Sequence, residues 1–245
     1  IGAGQLLIQM QYFARHNTVT GIDTNIIAQG FDPFAYAKML SVNGPVRVAK
    51  TIMRKLMGID GEVIRDLKTE LGVDSLPKLP VHLMDACNLT FAESSFDFVH
   101  CHAVLHHVME PATALKGIVR VLRPGGALYI QVHLYSSENG SLDPRVFSAA
   151  CSDVPAWAHL RPRYMHIVNS SAVLNKLRLS EWLDLFEGYF PGAKIICGKS
   201  KRAGAEEDAG RLAASGEIGD YSIEDLLTHD ITVLWQKPER RGISG

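Results

Sequence analysis

The sequence predicts an α/β fold with a mostly parallel central sheet and helices on both faces, and residues 96–133 are the main reason. Two apolar segments of strand length, 96–101 and 127–132, flank a segment of helical periodicity at 111–122. Both strand segments are near-continuous apolar runs, as expected for strands that are covered on both faces. Strand, helix and strand in fewer than forty residues predict one βαβ unit.

The borders of this unit carry their own signals. Pro111 suits the first turn of a helix, where a missing N–H costs nothing. The sequence Arg123-Pro124-Gly125-Gly126 predicts a tight turn with a positive φ between the helix and the second strand. Four histidines fall within residues 100–107, where the first strand ends.

Composition limits the class of protein. A chain of 245 residues with 47% hydrophobic residues can form one large domain, which is the organisation we expect. With a net charge of −1 no nucleic-acid partner is expected, and the apolar runs are too short to span a membrane. The cysteines show no CxxC spacing, which predicts reduced thiols in a cytoplasmic protein rather than disulfides or a zinc site; they are Cys87, Cys101, Cys151 and Cys197.

The start of the chain has a nucleotide-binding pattern. A turn containing Gly2 and Gly4 leads into a helical segment at 6–14, and a short strand at 19–22 ends at Asp23. Glycines let the backbone approach a ligand, and an acid at the strand tip can accept both ribose hydroxyls, as in the first half of a Rossmann-like fold. The simpler alternative is a plain turn with Asp23 as a helix cap. Because the chain opens inside a strand-to-turn junction without Met, we expect the natural protein to continue upstream with most of a first strand.

Residues 30–80 are longer than one βαβ connection requires. Three helical patterns broken by glycine-containing turns predict a helical insertion between the second and third strands of the complete sheet. Its basic face is expected to be solvated, with a lid or dimer surface as the alternative. The next strand, 80–84, delivers Asp85 to its carboxyl end, where open α/β sheets bind ligands.

The second half continues with a long polar loop, about 134–178, on the ligand side of the sheet. A helix at 179–190 with Ser180 as N-cap and a strand at 194–197 follow. We expect 198–220 to be mobile, 222–227 to be a short helix and 231–235 to be the last strand.

Five motifs in order, IGAG, GID, LMDACNLTF, FDFVHCHAVLHHV and RVLRPGG, resemble the class I S-adenosylmethionine-dependent methyltransferases, in particular the type 11 group. The resemblance covers roughly residues 1–133 and implies a Rossmann-like class I methyltransferase fold with S-adenosyl-L-methionine as cofactor. It departs from the family pattern at Leu6, which stands where a third glycine is usual.

The resemblance also implies a role for each matching position. The methionine end of the cofactor is expected against the glycine turn, the ribose at Asp23 and the adenine at Asp85. His102 is expected to present its backbone to the cofactor amino group, and His107 to lie near the methionine portion. The complete cofactor-binding prediction is Gly2, Ala3, Gly4, Asp23, Thr24, Asp85, Ala86, His102 and His107.

Methyl transfer to a hydroxyl or amine benefits from a general base, and histidine has a suitable pKa. We predict His133 as that base, with His106 as a second catalytic residue, although either histidine can be structural. His100 and His102 have no carboxylate or thiol that completes a metal site, so no metal is expected.

The predicted acceptor is a small polar molecule such as a sugar or glycan hydroxyl, and the predicted substrate-binding residues are Tyr135, Arg145, His159 and Arg161. Alternatively, the loop arginines pair with acids such as Asp143, Asp153 and Glu138 and only hold the loop. Two other functions remain open: a nicotinamide-dependent Rossmann oxidoreductase, and a protein that binds S-adenosylmethionine without catalysis. The sequence does not specify an oligomeric state.

Overall fold

The computed structural model describes residues 1–30, 32–146, 153–170 and 172–239. The chain divides into two compact units, Ile1–Asn88 and Leu89–Gly245, each with its own sheet. The single-domain organisation stays a prediction. Cys151 lies outside the described residues, and the three cysteines within them form no disulfide.

The first unit has two short parallel strands separated by three helices. Its elements are α1 (Ile8–Phe13), β1 (Gly21–Asp23), α2 (Pro33–Asn43), α3 (Pro45–Leu56), α4 (Gly61–Leu71) and β2 (Val81–Leu83). Asp23 pairs with Leu83 in the parallel register, so β1 and β2 end at the same edge. The helical patterns predicted between these strands are confirmed, whereas their status as an insertion stays a prediction.

A small apolar cluster holds α1 against β1. Leu7 and Met10 are buried with Ala3, and Val19, Ile27, Leu79 and Val81 pack around them. A Cβ on Gly21 would lie 2.5 Å from Sδ of Met10, so the absence of a side chain at position 21 leaves room for the Met10 side chain. The helix is shorter than predicted, because Leu7 takes a left-handed conformation (φ 53°) immediately before it.

The second unit contains the predicted βαβ unit and a four-stranded sheet. Its elements are β3 (Phe96–His102), α5 (Pro111–Val121), β4 (Leu122–His133), α6 (Leu179–Tyr189), β5 (Lys194–Lys199), α7 (Ala205–Ser215), α8 (Ile223–Leu227) and β6 (Thr228–Gln236). The strand order is β3-β4-β6-β5; β3 is parallel to β4, and β6 is antiparallel to β4 and β5. The α/β class and its Rossmann-like βαβ connection are confirmed.

The tight turn predicted at residues 123–126 is wrong, whereas the positive φ predicted there is found at Gly125. These residues belong to β4, where the pairing shifts from Phe96↔Leu122 to Phe98↔Ala127 as an irregularity in the strand. Gly125 has φ 75°, and its N–H donates to the carbonyl of Lys237 over 2.8 Å. The Pro-Gly-Gly sequence therefore makes a bulge held by the chain beyond β6.

Two predictions in the C-terminal half are also wrong. Ser180 is not the N-cap of α6: Arg178 occupies that position, and its N–H donates to the Glu181 carboxylate over 2.7 Å. Residues 198–220 include the helix α7, whose apolar side packs in a core cluster around the fully buried Trp157. In the described part of the chain, no helix has both the length and the apolar character needed to cross a membrane.

Candidate active site

The glycine turn of the first unit is bonded to β1 at the end of that strand. The N–H groups of Gly2 and Ala3 both donate to the carbonyl of Ile22, over 2.9 and 3.0 Å. The N–H of Gly4 donates to Oδ2 of Asp23 over 3.2 Å, and Gly2 and Gly4 have φ of 70° and 66°. The glycine turn and Asp23, both predicted to hold the cofactor, are therefore joined by a direct hydrogen bond. The N–H groups of Gly2, Ala3 and Gly4 are all used in hydrogen bonds to β1.

The carboxylate of Asp23 is oriented from both sides. Oδ1 accepts hydrogen bonds from the backbone and the side-chain amide of Asn25, over 2.8 and 3.3 Å. A carboxylate has about four acceptor positions, so these contacts leave capacity for a ligand hydroxyl. The half-buried Asp23 fits the ribose-binding role, whereas its neighbour Thr24 is exposed.

Asp85 and Ala86 follow β2 at the same edge of the two-stranded sheet. Oδ1 of Asp85 accepts the N–H of Cys87 over 2.9 Å and starts the 3₁₀ turn Ala86–Asn88. Asp85 is exposed, whereas Ala86 is buried. An exposed acid beside a buried small residue is an arrangement that can bind the amino edge and the face of an adenine ring.

In the second unit, the LHHV motif forms a 3₁₀ turn, Leu105–His107, after β3. The buried side chain of Asn175 donates to the carbonyls of Leu105 and Val108, over 2.9 and 2.8 Å. Nδ1 of His107 lies 2.9 Å from the carbonyl of Val173. Because a carbonyl oxygen only accepts, this nitrogen carries the hydrogen, and Nε2 of the exposed His107 ring keeps its lone pair.

The two predicted catalytic histidines lie together. The backbone N–H of His133 donates to Nδ1 of His106 over 3.2 Å, and the ring centroids are 5.2 Å apart in an edge-to-face arrangement. Burial lowers the pKa of His106 to about 3, and burial followed by the charge on His229 lowers the pKa of His133. Both rings are therefore neutral near pH 7, and Nδ1 of His133 has no partner among the described residues.

Two further residues belong to this group, His229 and Asp230, which the sequence did not indicate. The ring of His229 lies edge-to-face on His133, with centroids 5.2 Å apart. Its Nδ1 is 3.4 Å from Oδ2 of Asp230, and Asp230 pairs with His133 across β6 and β4. The predicted last strand began at Ile231, which placed both residues outside the sheet.

Tyr135 and His159 meet at the start of the long loop. Nε2 of His159 donates to the carbonyl of Tyr135 over 2.6 Å, and the two rings contact edge-to-face. Burial raises the pKa of Tyr135 and lowers the pKa of His159 to about 4. The Lys176 ammonium lies 5.2 Å from the centre of the Tyr135 ring, so this wall combines a phenol, a neutral imidazole and a cation.

The two predicted substrate-binding arginines are both paired with acids. Arg145 makes two side-chain hydrogen bonds to the fully buried Asp143, over 3.0 and 2.6 Å, and holds the pKa of that carboxyl well below its usual range. Arg161 makes two hydrogen bonds to Glu217, over 3.0 and 3.2 Å. These contacts match the alternative in which the arginines hold the loop, with Glu217 as a partner that the sequence did not indicate.

His102 lies on an aromatic row across β3 and β4. His100 stacks on Tyr129 with centroids 4.9 Å apart, and the Tyr129 hydroxyl is 3.4 Å from Nδ1 of His102. Burial lowers the pKa of His100 to about 4, so its imidazole is neutral near pH 7. Within the described ranges, no three histidine, cysteine or acidic side chains are grouped so that they could hold a metal ion.

Comparison with known proteins identifies part of this arrangement. Residues 43–130, which include Asp85, β3, the LHHV turn, α5 and most of β4, match a family model described as a methyltransferase domain. This stretch is therefore similar to the methyltransferase domain family. The predicted resemblance to methyltransferases is thereby confirmed.

Two individual relatives each match part of the chain. An uncharacterized 37.1 kDa protein in a transposon of Streptomyces fradiae is 36% identical over 74 residues, which are 30% of this chain and 21% of that protein. An uncharacterized chloroplastic methyltransferase of Arabidopsis thaliana is 30% identical over 115 residues, 47% of this chain and 29% of the relative. The chain thus spans less than a third of the length of either relative.

A solved S-adenosylmethionine-dependent methyltransferase from Methanosarcina mazei superposes with a TM-score of 0.46 at 17% identity, over 98% of this chain and 91% of that one.

Proposed function

We propose that the protein is an S-adenosylmethionine-dependent methyltransferase whose acceptor is a hydroxyl of a small polar molecule, such as a sugar or glycan. The family match at residues 43–130 carries the activity. The acceptor class rests on the polar side chains at the end of β4, which are His133, Tyr135, His159 and Lys176.

The chain contains residues that can hold S-adenosylmethionine, which supports this proposal. S-adenosylmethionine supplies an activated methyl group when bound, so the protein has to hold it, align the acceptor and remove a proton. Asp23 and Asp85 are the proposed contacts to ribose and adenine, with the glycine turn, Thr24 and Ala86 beside them. His102 and His107 are the proposed contacts in the second unit.

The acceptor hydroxyl requires a group that takes its proton. His133 is half-buried and neutral near pH 7, which are properties of a base, and because its Nδ1 is buried, we propose Nε2 as the ring nitrogen that faces the acceptor. His106 uses Nδ1 to accept the His133 N–H, so its neutral ring carries the hydrogen on Nε2. His106 therefore supports the site, and we propose His133 rather than His106 for contact with the acceptor. Tyr135 and His159 are the proposed acceptor contacts, whereas Arg145 and Arg161 act through the loop that they hold.

Calorimetry with purified protein tests the cofactor. We expect saturable binding of S-adenosylhomocysteine and none of NADH, which separates a methyltransferase from a nicotinamide oxidoreductase. Binding of NADH alone would contradict the proposal. Incubation with labelled S-adenosylmethionine and a panel of sugars, phenols and amines then tests catalysis. If the protein binds the cofactor but does not consume it with any of these acceptors, a binding protein without catalysis is favoured.

The His133→Ala variant tests the acceptor side. We expect kcat to fall by about a hundredfold or more while affinity for S-adenosylhomocysteine changes little, because a general base acts on the reacting proton and not on the cofactor. His166→Gln, at an exposed histidine, is the control. Equal turnover in the His133→Ala and parent proteins would remove His133 from the reaction.

A further inference from the structure

We infer that His229, oriented by Asp230, is the group on which the acceptor proton finally rests, so that His133 takes the proton and this histidine–carboxylate pair on β6 receives it from His133. This inference rests on the proposed methyltransferase function and assigns a further residue to the same reaction. Neither residue lies in the matched stretch 43–130.

The geometry of the pair sets the tautomer of the ring. Nδ1 of His229 faces Oδ2 of Asp230 at 3.4 Å, and a carboxylate oxygen only accepts. The hydrogen therefore lies on Nδ1, and the lone pair lies on Nε2. About a third of the His229 side chain is exposed (32%), which leaves room for a ligand atom to approach the ring.

The pair lies where an acceptor is expected. His133 ends β4 and Asp230 is its register partner at the start of β6, so His133, His229 and Asp230 share the carboxyl edge of β4. The N–H of Leu134 donates to the carbonyl of His229 over 3.0 Å and fixes this end of the two strands. Tyr135 and His159 continue the same wall into the loop.

The neighbouring Asp230 carboxylate distinguishes His229 from His106 and His133. An imidazolium at His106 or His133 would form in a buried or half-buried place surrounded by other imidazoles, which disfavour it. An imidazolium at His229 would lie against the Asp230 carboxylate, which also interacts electrostatically with His133 on β4 and Cys197 on β5. The positive charge produced by proton removal is therefore compensated at His229.

Gly198 on β5 makes the position of Asp230 possible. The two residues are paired across β5 and β6, and a Cβ at 198 would lie 2.8 and 2.9 Å from the carboxylate oxygens of Asp230. A side chain at 198 would displace this carboxylate from His229. The pair can thus be disturbed without altering either member.

The proposed reaction transfers a methyl group to the acceptor oxygen and the hydroxyl proton to the protein. A lone pair of the acceptor oxygen forms the bond to the methyl carbon while the carbon–sulfur bond breaks, and the electron pair of that bond stays on sulfur. His133 takes the hydroxyl proton first and passes a proton on to Nε2 of the neighbouring His229, so that His133 returns to its neutral form and the imidazolium at His229 is neutralised by Asp230. The proton is later released to water.

The tautomer of His229 can be measured without any cofactor. In the ¹⁵N spectrum of histidine-labelled protein at alkaline pH, assigned with His229→Gln, we expect hydrogen on Nδ1. Gly198→Ala and Asp230→Ala should both shift His229 toward the Nε2–H form, whereas Gly188→Ala, where an added Cβ meets no atom within 4 Å, should not. An Nε2–H form in the parent protein would overturn the inference.

Turnover provides the second readout. We expect His229→Gln to lower kcat at least about a hundredfold with little change in KM or in affinity for S-adenosylhomocysteine, and Gly198→Ala to lower kcat in the same direction. Unchanged kcat in His229→Gln, with cofactor binding intact and His133→Gln inactive, would overturn this inference alone. Failure of the parent protein to bind S-adenosylhomocysteine would instead overturn the proposed function and this role with it.

Discussion

The backbone N–H of His133 donates to Nδ1 of His106 across 3.2 Å, which ties the end of β4 to the turn that follows β3. His106 is 2% exposed, so this bond lies in the interior. A buried N–H that loses its acceptor costs about 1–3 kcal/mol. One histidine of the LHHV motif thus has a structural role that its sequence context does not distinguish from a catalytic one.

Replacement of His106 should therefore depend on whether the new side chain can accept a hydrogen bond. We expect His106→Ala to lower the free energy of unfolding by about 2 kcal/mol or more, and His106→Asn, whose amide oxygen can replace Nδ1, to recover a substantial part of that loss. Urea denaturation followed by circular dichroism measures both variants. Equal stability of the two variants would show that the hydrogen bond contributes little.

Stability should also fall in mild acid. His106 and His159 are buried, and their pKa values lie near 3 and 4 in the folded protein against 6.5 in an unfolded chain. The unfolded state therefore binds more protons as pH falls below about 6.5, and stability present at pH 7.5 is lost on acidification. Each histidine should account for about 2 kcal/mol at pH 5.

Denaturation at pH 7.5 and pH 5.0 tests this dependence. We expect the difference in unfolding free energy between the two pH values to shrink in His106→Asn and in His159→Asn. His166→Gln, at an exposed position, should keep the full difference. A parent protein with equal stability at both pH values would contradict the assignment of these buried rings as neutral.

Asp23→Ala tests the ribose site. Because charged hydrogen bonds contribute about 1.5–3 kcal/mol, we expect affinity for S-adenosylhomocysteine to fall by at least about tenfold. Calorimetry measures the affinity, and circular dichroism checks that the fold is retained. Asp74→Ala, at an exposed acid of the same unit, is the control. Unchanged affinity would remove Asp23 from the cofactor site.

Two glycine-to-alanine substitutions should change the stability of the protein in opposite directions. A Cβ at Gly140 would lie 1.8 Å from the carbonyl oxygen of Tyr135, the acceptor of the His159 hydrogen bond, so Gly140→Ala should destabilise the protein and disturb the loop. Gly188 is an exposed residue of α6 with open space around it, and Gly188→Ala should raise stability by about 1 kcal/mol. Thermal denaturation of both variants decides the comparison.

The elements that the sequence predicted well are those with local signals. Pro111 begins α5 as expected, and apolar runs mark β3 and β4. Ser222 caps α8, and its hydroxyl accepts the N–H of Asp225 over 3.0 Å. Caps, apolar runs and helical periodicity act over a few residues, so a single sequence contains them.

The elements that were missed depend on distant partners. The helix α7 buries the small residues Ala205 and Ala209 against Trp157, about fifty residues earlier in the chain, and its composition alone resembles a mobile segment. The bulge at Gly125 depends on Lys237 in the same way. His229 joins the histidine group only through the register of β4 and β6, which no local pattern encodes.

The contact between Gly198 and the Asp230 carboxylate links two positions that are far apart in the chain. Position 198 cannot gain a side chain while the Asp230 carboxylate keeps its place: a larger residue there fits only after the carboxylate has moved or been lost. Related proteins that carry a side chain at 198 should therefore have replaced the acid at 230, and this covariation would be visible in an alignment before any experiment.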